Sequence, residues 1–301
     1  MNSDFGPHLK VLSPGLHTLI VDAGRPRSRR LGVPVGGAAD RFSLALGNFL
    51  VGNEPDAAAL EIALAGPTLE VLAPLACVLF GAPFEMAGDR AELRAGTTFT
   101  LEAGDRVRIG GTPEGMRAYL CVQGGIDAPQ ILGSRSSLEP VQAGDVLRCR
   151  PGRIVGRNIG RAGWRQRPEN RLRVLPGAQD DWFPAGVLIG RSFEVTPASN
   201  RMGLRLRGEA LPVPARELVS EPVCPGTVQV TRDGQLIVLG VDGQTIGGYP
   251  KVAQVIAADV DALGQLRPGE AVAFAEVTLA EAERLWSARQ AELREWRARL
   301  G

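Results

Sequence analysis

One turn-then-strand unit occurs three times along the chain and restricts the folds that this sequence can adopt. In each copy Ala-Gly-Asp or Pro-Gly-Glu precedes a short strand pattern, at residues 103–109, 143–149 and 268–274. Glycine at such a turn permits a positive φ that other residues avoid. Units of this kind are common in closed or nearly closed β-barrels, although they also occur in sandwiches.

Short apolar strands separated by turn residues account for much of the remaining sequence. The 301 residues include 38 Gly and 22 Pro, and the 44% hydrophobic fraction is enough to build cores. Strands are predicted at 18–21, 60–64, 76–80, 118–122, 172–175, 192–195, 226–230 and 236–239. The length suggests two domains, and the Arg/Gly-rich stretch 151–170 is interpreted as their linker. We therefore predict domains at 10–165 and 166–301, both mainly β.

Two helices are predicted by apolar residues at helical spacing. The first covers 40–52, with Asp40 as N-cap and Gly52 as a stop signal. The second starts with a capping box from Thr278 to Glu281 and continues towards the C-terminus. We expect the aromatic residues on the apolar faces of both helices to pack as core.

Charge and composition argue against several classes of partner. The net charge is +1, and no stripe of Lys and Arg is interleaved with aromatics, so a nucleic-acid partner is not expected. No signal peptide is recognisable, and no apolar run reaches the roughly 20 residues that cross a bilayer. The sequence therefore predicts a soluble, cytoplasmic protein without a membrane partner.

Cysteine and histidine usage argues against a metal site. The four cysteines are far apart and form no CxxC pair, which is typical of buried thiols in a reducing compartment. With two histidines, His8 and His17, a Ser-His-Asp triad and a His-rich metal site are both disfavoured. We predict no metal.

Lysine is almost absent, which makes its two positions informative. The chain has 32 arginines but only Lys10 and Lys251. Lysine offers a compact ammonium whose pKa changes readily on burial, which arginine does not. Lys251 ends Gly247-Gly248-Tyr249-Pro250-Lys251, which also holds one of two tyrosines. Either this turn belongs to the active site, or Lys251 has survived by drift in an Arg-biased chain.

Three clusters combine polar side chains with glycines. In the first, Asp22, Arg25 and Asp40 surround a Gly-rich loop that ends at a predicted helix N-terminus, an arrangement that favours anions. In the second, Asn200 and Arg201 offer an orienting amide and a fork for a carboxylate. Each cluster has a plain alternative, in which the glycines shape a turn and the polar groups cap it.

The third cluster, 242–251, carries the most varied chemistry. Asp242, Gln244, Tyr249 and Lys251 supply an acid, an amide, a phenol and an amine within ten residues. The intervening glycines allow a substrate to approach the backbone.

Together these motifs make the chain recognisable from about Gly15 to Trp286. They are Asp22-x-Gly24-Arg25, Gly32-Val33-Pro34-x-Gly36-Gly37-Ala38-x-Asp40, Ala59-Leu60-Glu61, Gly66-Pro67-Thr68, Gly133-Ser134-Arg135-Ser136, Pro176-Gly177, Gln179-Asp180-Asp181, Ser199-Asn200-Arg201-Met202-Gly203 and Gly247-Gly248-Tyr249-Pro250-Lys251. The chain resembles the biotin-dependent carboxyltransferase-like family, which includes the C-type subunits of 5-oxoprolinase, KipA and the carboxyltransferase region of urea carboxylase, formerly allophanate hydrolase subunit 2.

The resemblance implies two tandem cyclophilin-like β-barrels, with a few short helices and a C-terminal helix. It implies a subunit that works with a B-type and an A-type 5-oxoprolinase partner to hydrolyse 5-oxoproline (pyroglutamate) to glutamate. ATP would be the co-substrate. No biotinylation motif is recognisable, so no covalently bound biotin is expected.

Site residues are assigned on the clusters and on this resemblance. The expected catalytic residues are Lys251, Tyr249, Asp242 and Gln244. The expected substrate-binding residues are Arg25, Asp22, Asp40, Asn200, Arg201, Gly247 and Gly248. In that scheme the cations neutralise carboxylate and phosphate charge, while the acid, amide and phenol orient the lactam or move a proton.

Departures from the family pattern keep two other functions open. Val21, Gly36, Gly243 and Ile246 replace residues that are usual in the family motifs. One alternative is a biotin-dependent carboxyltransferase acting on urea or a related amide. The other is a non-catalytic regulatory subunit of the KipA type.

Overall fold

Strands dominate the computed structural model, which describes residues 5–90, 92–159, 170–213 and 215–300. The strands and the helix of the first half run in the order β1 Gly6–Ser13, β2 His17–Val21, α1 Arg41–Leu50, β3 Ala59–Ala63, β4 Thr68–Val71, β5 Leu75–Gly81, β6 Met86–Gly88, β7 Phe99–Leu101, β8 Arg106–Ile109, β9 Arg117–Val122 and β10 Val146–Cys149. Those of the second half are β11 Arg171–Pro176, β12 Ser192–Val195, β13 Gly203–Arg207, β14 Glu221–Pro222, β15 Thr227–Val230, β16 Leu236–Leu239, β17 Ile246–Gly247, β18 Lys251–Val255, β19 Ala271–Glu276 and α2 Leu279–Leu300. Short 3-10 helices lie at Pro26–Leu31, Asp180–Trp182 and Ala257–Gln265.

The chain packs into two units, and neither is continuous in sequence. Unit 1 comprises Met1–Gly24, Arg41–Arg165 and Glu292–Gly301, while unit 2 comprises Arg25–Asp40 and Gln166–Ala291. The glycine-rich segment Arg25–Asp40 therefore packs with the second half of the chain. The predicted domain boundaries, 10–165 and 166–301, stay a prediction.

Unit 1 holds two five-stranded sheets, in the orders β10-β1-β4-β8-β6 and β2-β3-β9-β5-β7. Helix α1 packs on the second of these through a close approach at Gly47. A Cβ on Gly47 would lie 2.7 Å from Cys121 Sγ on β9 and 3.2 Å from Phe80 Cβ on β5. The helix is apolar almost all round, and its residues Phe42 to Leu50 are buried, as expected for a helix inside a core.

Unit 2 contains a closed barrel in the order β11-β18-β15-β16-β13-β12-β19. The ring closes through β11 and β19, which run parallel, with Arg171 beside Ala273. Alternating residues fill the interior, because successive side chains of a strand point to opposite faces. Val228 and Val230 belong to this core, so Gln229 between them points outward. A separate two-stranded ribbon pairs β14 with β17.

The predicted strands and the mainly β fold are confirmed. Turn glycines Gly104, Gly144 and Gly269 have φ values of 86°, 95° and 88°. The closed barrel appears in unit 2, whereas the strands of unit 1 form two sheets. The predicted linker lies partly outside the described residues, at 160–169. Before that gap, Asn158 bridges to Thr97 beside β7.

Both helices are confirmed, but the expected burial of the second is wrong. Gly52 ends the first with a φ of 77°, and in the second the Glu281 amide donates to Thr278 Oγ1 at 3.2 Å. However, only Ala282 of α2 is buried, and Trp286 is 42% exposed. The apolar stripe of α2 is too sparse to bury a full face. Within the described residues, no helix is both long and apolar enough to span a membrane.

Candidate functional site

Lys251 begins β18 and is 5% exposed. Its Nζ lies 2.8 Å from Glu221 Oε2, on the β14 strand of the ribbon. Gln179 Nε2 donates to the same carboxylate oxygen at 3.2 Å. Lys251 and Gln179 together lower the pKa of Glu221 from its ordinary value. A buried ammonium therefore has a carboxylate counter-ion that stays ionised at neutral pH.

The loop before the 3-10 helix at 180–182 fixes the backbone of Lys251. The Lys251 amide donates to Gln179 Oε1 at 3.1 Å, and the Gln179 amide donates to the Lys251 carbonyl at 3.0 Å. Gly177 makes this approach possible, because a Cβ there would lie 2.6 Å from the Ala253 amide nitrogen and would overlap the Lys251 carbonyl. Two hydrogen bonds with Gln179 thus hold the backbone that carries the Lys251 ammonium.

Arg201 and Asp242 form another charged pair in unit 2. Arg201 Nε donates to Asp242 Oδ2 at 2.6 Å, and Nη2 donates to Oδ1 at 3.1 Å. Nη2 also donates to the Gly37 carbonyl at 2.6 Å. Bidentate geometry of this kind is strong and directional. Arg201 therefore holds the Asp242 carboxylate in a fixed position.

The glycine-rich segment 25–40 also approaches Asp242 of this pair. The Gly36 amide donates to the Val241 carbonyl at 2.9 Å. A Cβ on Gly36 would lie 3.3 Å from Arg25 Nη1 and 3.9 Å from Asp242 Oδ1. Arg25, which is 5% exposed, and Asp242 therefore converge on Gly36. The fold thus brings Arg25, Arg201 and Asp242 into one neighbourhood.

Asp40 lies in the same unit but serves another contact. Its Oδ2 accepts a hydrogen bond from Gln265 Nε2 at 2.8 Å, and it is 5% exposed. Helix α1 begins at the next residue, Arg41. Its substrate-binding role stays a prediction.

Residues between Asp242 and Lys251 join the two charged pairs. Gln244 Nε2 lies 3.5 Å, and Gln229 Nε2 2.5 Å, from the position of a Cβ on Gly247. Gly248 lies beside Ser220, whose Oγ would be 3.2 Å from a Cβ there. Tyr249 is 37% exposed. The loop between Asp242 and Lys251 thus carries an amide, a phenol and three glycines.

Asn200 occupies a turn position. Its side-chain Oδ1 accepts a hydrogen bond from the Met202 backbone amide at 2.9 Å, and its backbone amide donates to the Gly203 carbonyl at 3.1 Å. The Asn200 side chain is exposed. These bonds stabilise the tight turn that contains Arg201.

Asp22 belongs to unit 1, where it organises a loop. Its carboxylate accepts from Ser134 Oγ at 2.6 Å, Ser136 Oγ at 2.7 Å, the Arg135 amide at 2.5 Å and the Gly24 amide at 2.7 Å. Burial raises the pKa of Asp22, but the four hydrogen bonds together lower it below its ordinary value. Its ionised form is stabilised by the residues that it holds in place.

Sequence reasoning missed Glu221 and Gln229. Glu221 stands beside a proline in a charged, turn-rich stretch and carries no local signal. Gln229 did carry a local signal, because it lies between two valines in Val228-Gln229-Val230. A buried amide in an apolar strand is normally hydrogen-bonded, so such a residue indicates a specific role. In the described part of the chain, no group of three or more His, Cys, Asp or Glu side chains is placed to hold a metal ion.

Known proteins are similar to this chain in sequence and in fold. Residues 31–276 match the carboxyltransferase domain, subdomain A and B. The C-type subunit of 5-oxoprolinase from Escherichia coli strain K12 is 37% identical over 287 residues, which cover 91% of this chain and 93% of that protein.

Solved structures resemble this one as well. The crystal structure of TTHA0988 has a TM-score of 0.80 and 37% identity, covering 89% of this chain and 55% of that chain. This chain thus spans about half the length of TTHA0988. The Kluyveromyces lactis urea carboxylase has a TM-score of 0.88 and 26% identity, covering 96% of this chain and 29% of that chain.

Proposed function

This chain belongs to the carboxyltransferase domain family, subdomains A and B, and we propose that it is a subunit of an ATP-dependent 5-oxoprolinase that converts 5-oxoproline to glutamate. One observation carries the proposal. The match to a C-type 5-oxoprolinase subunit is nearly complete on both sides, at 91% of this chain and 93% of the relative. The urea carboxylase match covers 29% of that chain. The higher identity and the two-sided coverage favour the 5-oxoprolinase subunit over the urea carboxylase as the guide to function.

The site offers charges that suit this reaction. The substrate has a carboxylate, and ATP brings phosphates. Lys251 and Arg25 are both 5% exposed, and buried cations interact strongly with anions because the surroundings screen them little. Arg201 is engaged with Asp242, so its role is to position that carboxylate.

The chemistry requires activation of a stable lactam. Transfer of the γ-phosphoryl group to the lactam oxygen makes the ring carbon electrophilic. Water then adds, the ring C–N bond breaks as the nitrogen gains a proton, and a second water releases phosphate from the resulting acyl phosphate. Lys251 is assigned to the negative charge that develops on oxygen, and Asp242, Gln244 and Tyr249 to orientation of the ring or proton transfer.

Partner subunits complete the proposed enzyme. We infer an A-type and a B-type 5-oxoprolinase subunit, because the E. coli relative is itself named as a subunit. ATP enters as co-substrate of the assembly, and this chain carries no covalent biotin in the proposal.

Urea carboxylation is the second candidate, favoured by the TM-score of 0.88 with urea carboxylase. In that function, a partner would supply carboxybiotin and this chain would receive urea or a related amide. The same loop, 242–251, would bind the acceptor.

Reconstitution decides between the two. The chain is co-expressed with its A-type and B-type partners, and glutamate formed from 5-oxoproline and ATP is measured with and without it. Lys251→Ala should lower turnover about 100-fold or more, while Lys10→Ala, the change at the other lysine, should leave it unaltered. A stable complex without glutamate formation would contradict the proposal. Carboxylation of urea with bicarbonate and a biotinylated partner would then support the second candidate.

A further inference from the structure

Gln229 is a fully buried amide with nothing to bind among the described residues. It lies in the middle of β15, 0% exposed. Neither its Oε1 nor its Nε2 has a hydrogen-bond partner in that part of the chain. A buried polar group without a partner lowers stability, so its presence calls for another use.

A second glutamine on the same barrel wall shows that the wall can satisfy an amide. Gln254 on β18 accepts from Thr227 Oγ1 at 2.9 Å. Its Nε2 donates to the Pro225 carbonyl at 3.0 Å and to the Val255 carbonyl at 3.1 Å. Gln229 and Gln254 therefore lie on the same strand pair, but only the Gln254 amide is hydrogen-bonded. The lack of hydrogen-bond partners at Gln229 is therefore specific to its position on the barrel.

The free amide is aimed at the candidate site. Gln229 is the register partner of Lys251 across β15 and β18, and directly opposed residues share a face of the sheet. Its Nε2 and that of Gln244 both approach Gly247, at 2.5 Å and 3.5 Å from the position of a Cβ there. Glycine at 247 is what leaves room for the Gln229 carboxamide.

The chemistry of a primary amide defines the ligand. Along one edge, Gln229 offers an N–H donor beside a C=O acceptor. A matching ligand must present an acceptor beside a donor on one edge. A lactam does so because its ring holds the amide cis, and a ureido group does so as well, whereas a trans peptide unit points the two in opposite directions.

We propose that the carboxamide of Gln229 binds the cis-amide edge of the substrate, a lactam or a ureido group, beside Lys251. The proposal rests on the function proposed above and adds a substrate-binding residue and the edge it reads. Ligand reaches Gln229 when the β14–β17 ribbon moves, because the side chain is fully covered while Glu221 of the ribbon pairs with Lys251.

Opposite effects on stability and binding test this assignment. Gln229→Leu keeps the size and removes the unsatisfied atoms, so its melting temperature should rise by about 2–4 °C. Gln254→Leu, the matched control, strips partners from Thr227 and should lower it. In the reconstituted complex, Gln229→Leu should raise KM for 5-oxoproline by about 10- to 100-fold, the effect of two lost hydrogen bonds.

A second variant covers the case in which Gln229→Leu does not fold. Gly247→Ala keeps the amide but pushes it aside, and it should raise KM in the same direction. A fall in melting temperature for Gln229→Leu with unchanged KM in both variants would overturn the proposal, since it would give Gln229 a structural role alone.

Comparing three ligands distinguishes a failure of the Gln229 assignment from a failure of the proposed hydrolase function. Saturation-transfer NMR on the complex is recorded with 5-oxoproline, urea and free biotin, for wild type and Gln229→Leu. If wild type binds 5-oxoproline and Gln229→Leu does not, both the Gln229 assignment and the hydrolase function are supported. Binding of urea or biotin alone, lost in the variant, supports the edge assignment and contradicts the hydrolase. Binding that survives in the variant overturns the assignment.

Discussion

Arg201 clamps Asp242 with two hydrogen bonds, 2.6 Å from Nε to Oδ2 and 3.1 Å from Nη2 to Oδ1. The side chain of Arg201 is 10% exposed and that of Asp242 is 35% exposed. The pair lies where the glycine-rich segment meets the loop of Lys251, so its geometry sets the shape of the charged site.

The partial burial of this clamp predicts a measurable coupling. A double-mutant cycle with Arg201→Met and Asp242→Asn should give a coupling free energy of about 1–3 kcal/mol in urea unfolding. The control cycle uses Arg207 and Glu194, whose side chains are 68% and 46% exposed, and should give about 0–1 kcal/mol. Equal coupling in the two cycles would contradict a clamped carboxylate.

Gly177 should tolerate no side chain. In Gly177→Ala the new methyl group collides with the Lys251 carbonyl and the Ala253 amide, and the backbone must shift. We expect a loss of about 1–3 kcal/mol in the free energy of unfolding and a fall in kcat/KM, because Lys251 moves. Gly111→Ala is the control, with its nearest neighbour, the Leu64 carbonyl oxygen, 3.7 Å away; its stability should change by less than about 0.5 kcal/mol. Similar effects of the two changes would exclude the crowding argument.

Asp22 should give unit 1 an acid-sensitive stability. Its pKa in the folded state lies below the ordinary value of 3.8, because four hydrogen bonds outweigh burial. The stabilisation by the ionised form is therefore complete above about pH 4 and is lost as pH falls through the lowered pKa. Asp22→Asn should cost about 1–2 kcal/mol at pH 7. Denaturant unfolding of wild type and Asp22→Asn from pH 2 to 7 measures this difference in stability. A difference that does not become smaller below pH 3.8 would contradict the stabilising role of the ionised carboxylate.

The cysteines should differ sharply in reactivity. Burial raises the pKa of Cys149 to about 12 and that of Cys121 further, and burial together with Cys149 and Cys121 raises that of Cys77. Thiolate is the reactive form, so these three should resist a disulfide reagent in the folded protein. Cys224, which is partly exposed, should react first. Titration before and after urea should count one thiol and then four; fast labelling of four thiols in the native protein would contradict the buried placement.

Local sequence patterns were sufficient to predict the strands, the helices and most of the charged residues of the candidate site. Strands such as β12 and β16 were predicted at their observed bounds, because alternation and bordering turns are local properties. The same holds for the capped start of α2. Arg25, Arg201, Asp242 and Lys251 were singled out from scarcity and motif alone.

Which of those residues face one another depends on the fold and could not be predicted from local patterns. Asp22 and Arg25 are three apart in sequence, yet they belong to different units, and no local rule predicts where a chain leaves one unit for another. Gln229, Glu221 and Lys251 meet because β15 pairs with β18 and the ribbon reaches across them. Such meetings depend on register and closure, which are set by contacts between strands far apart in the chain.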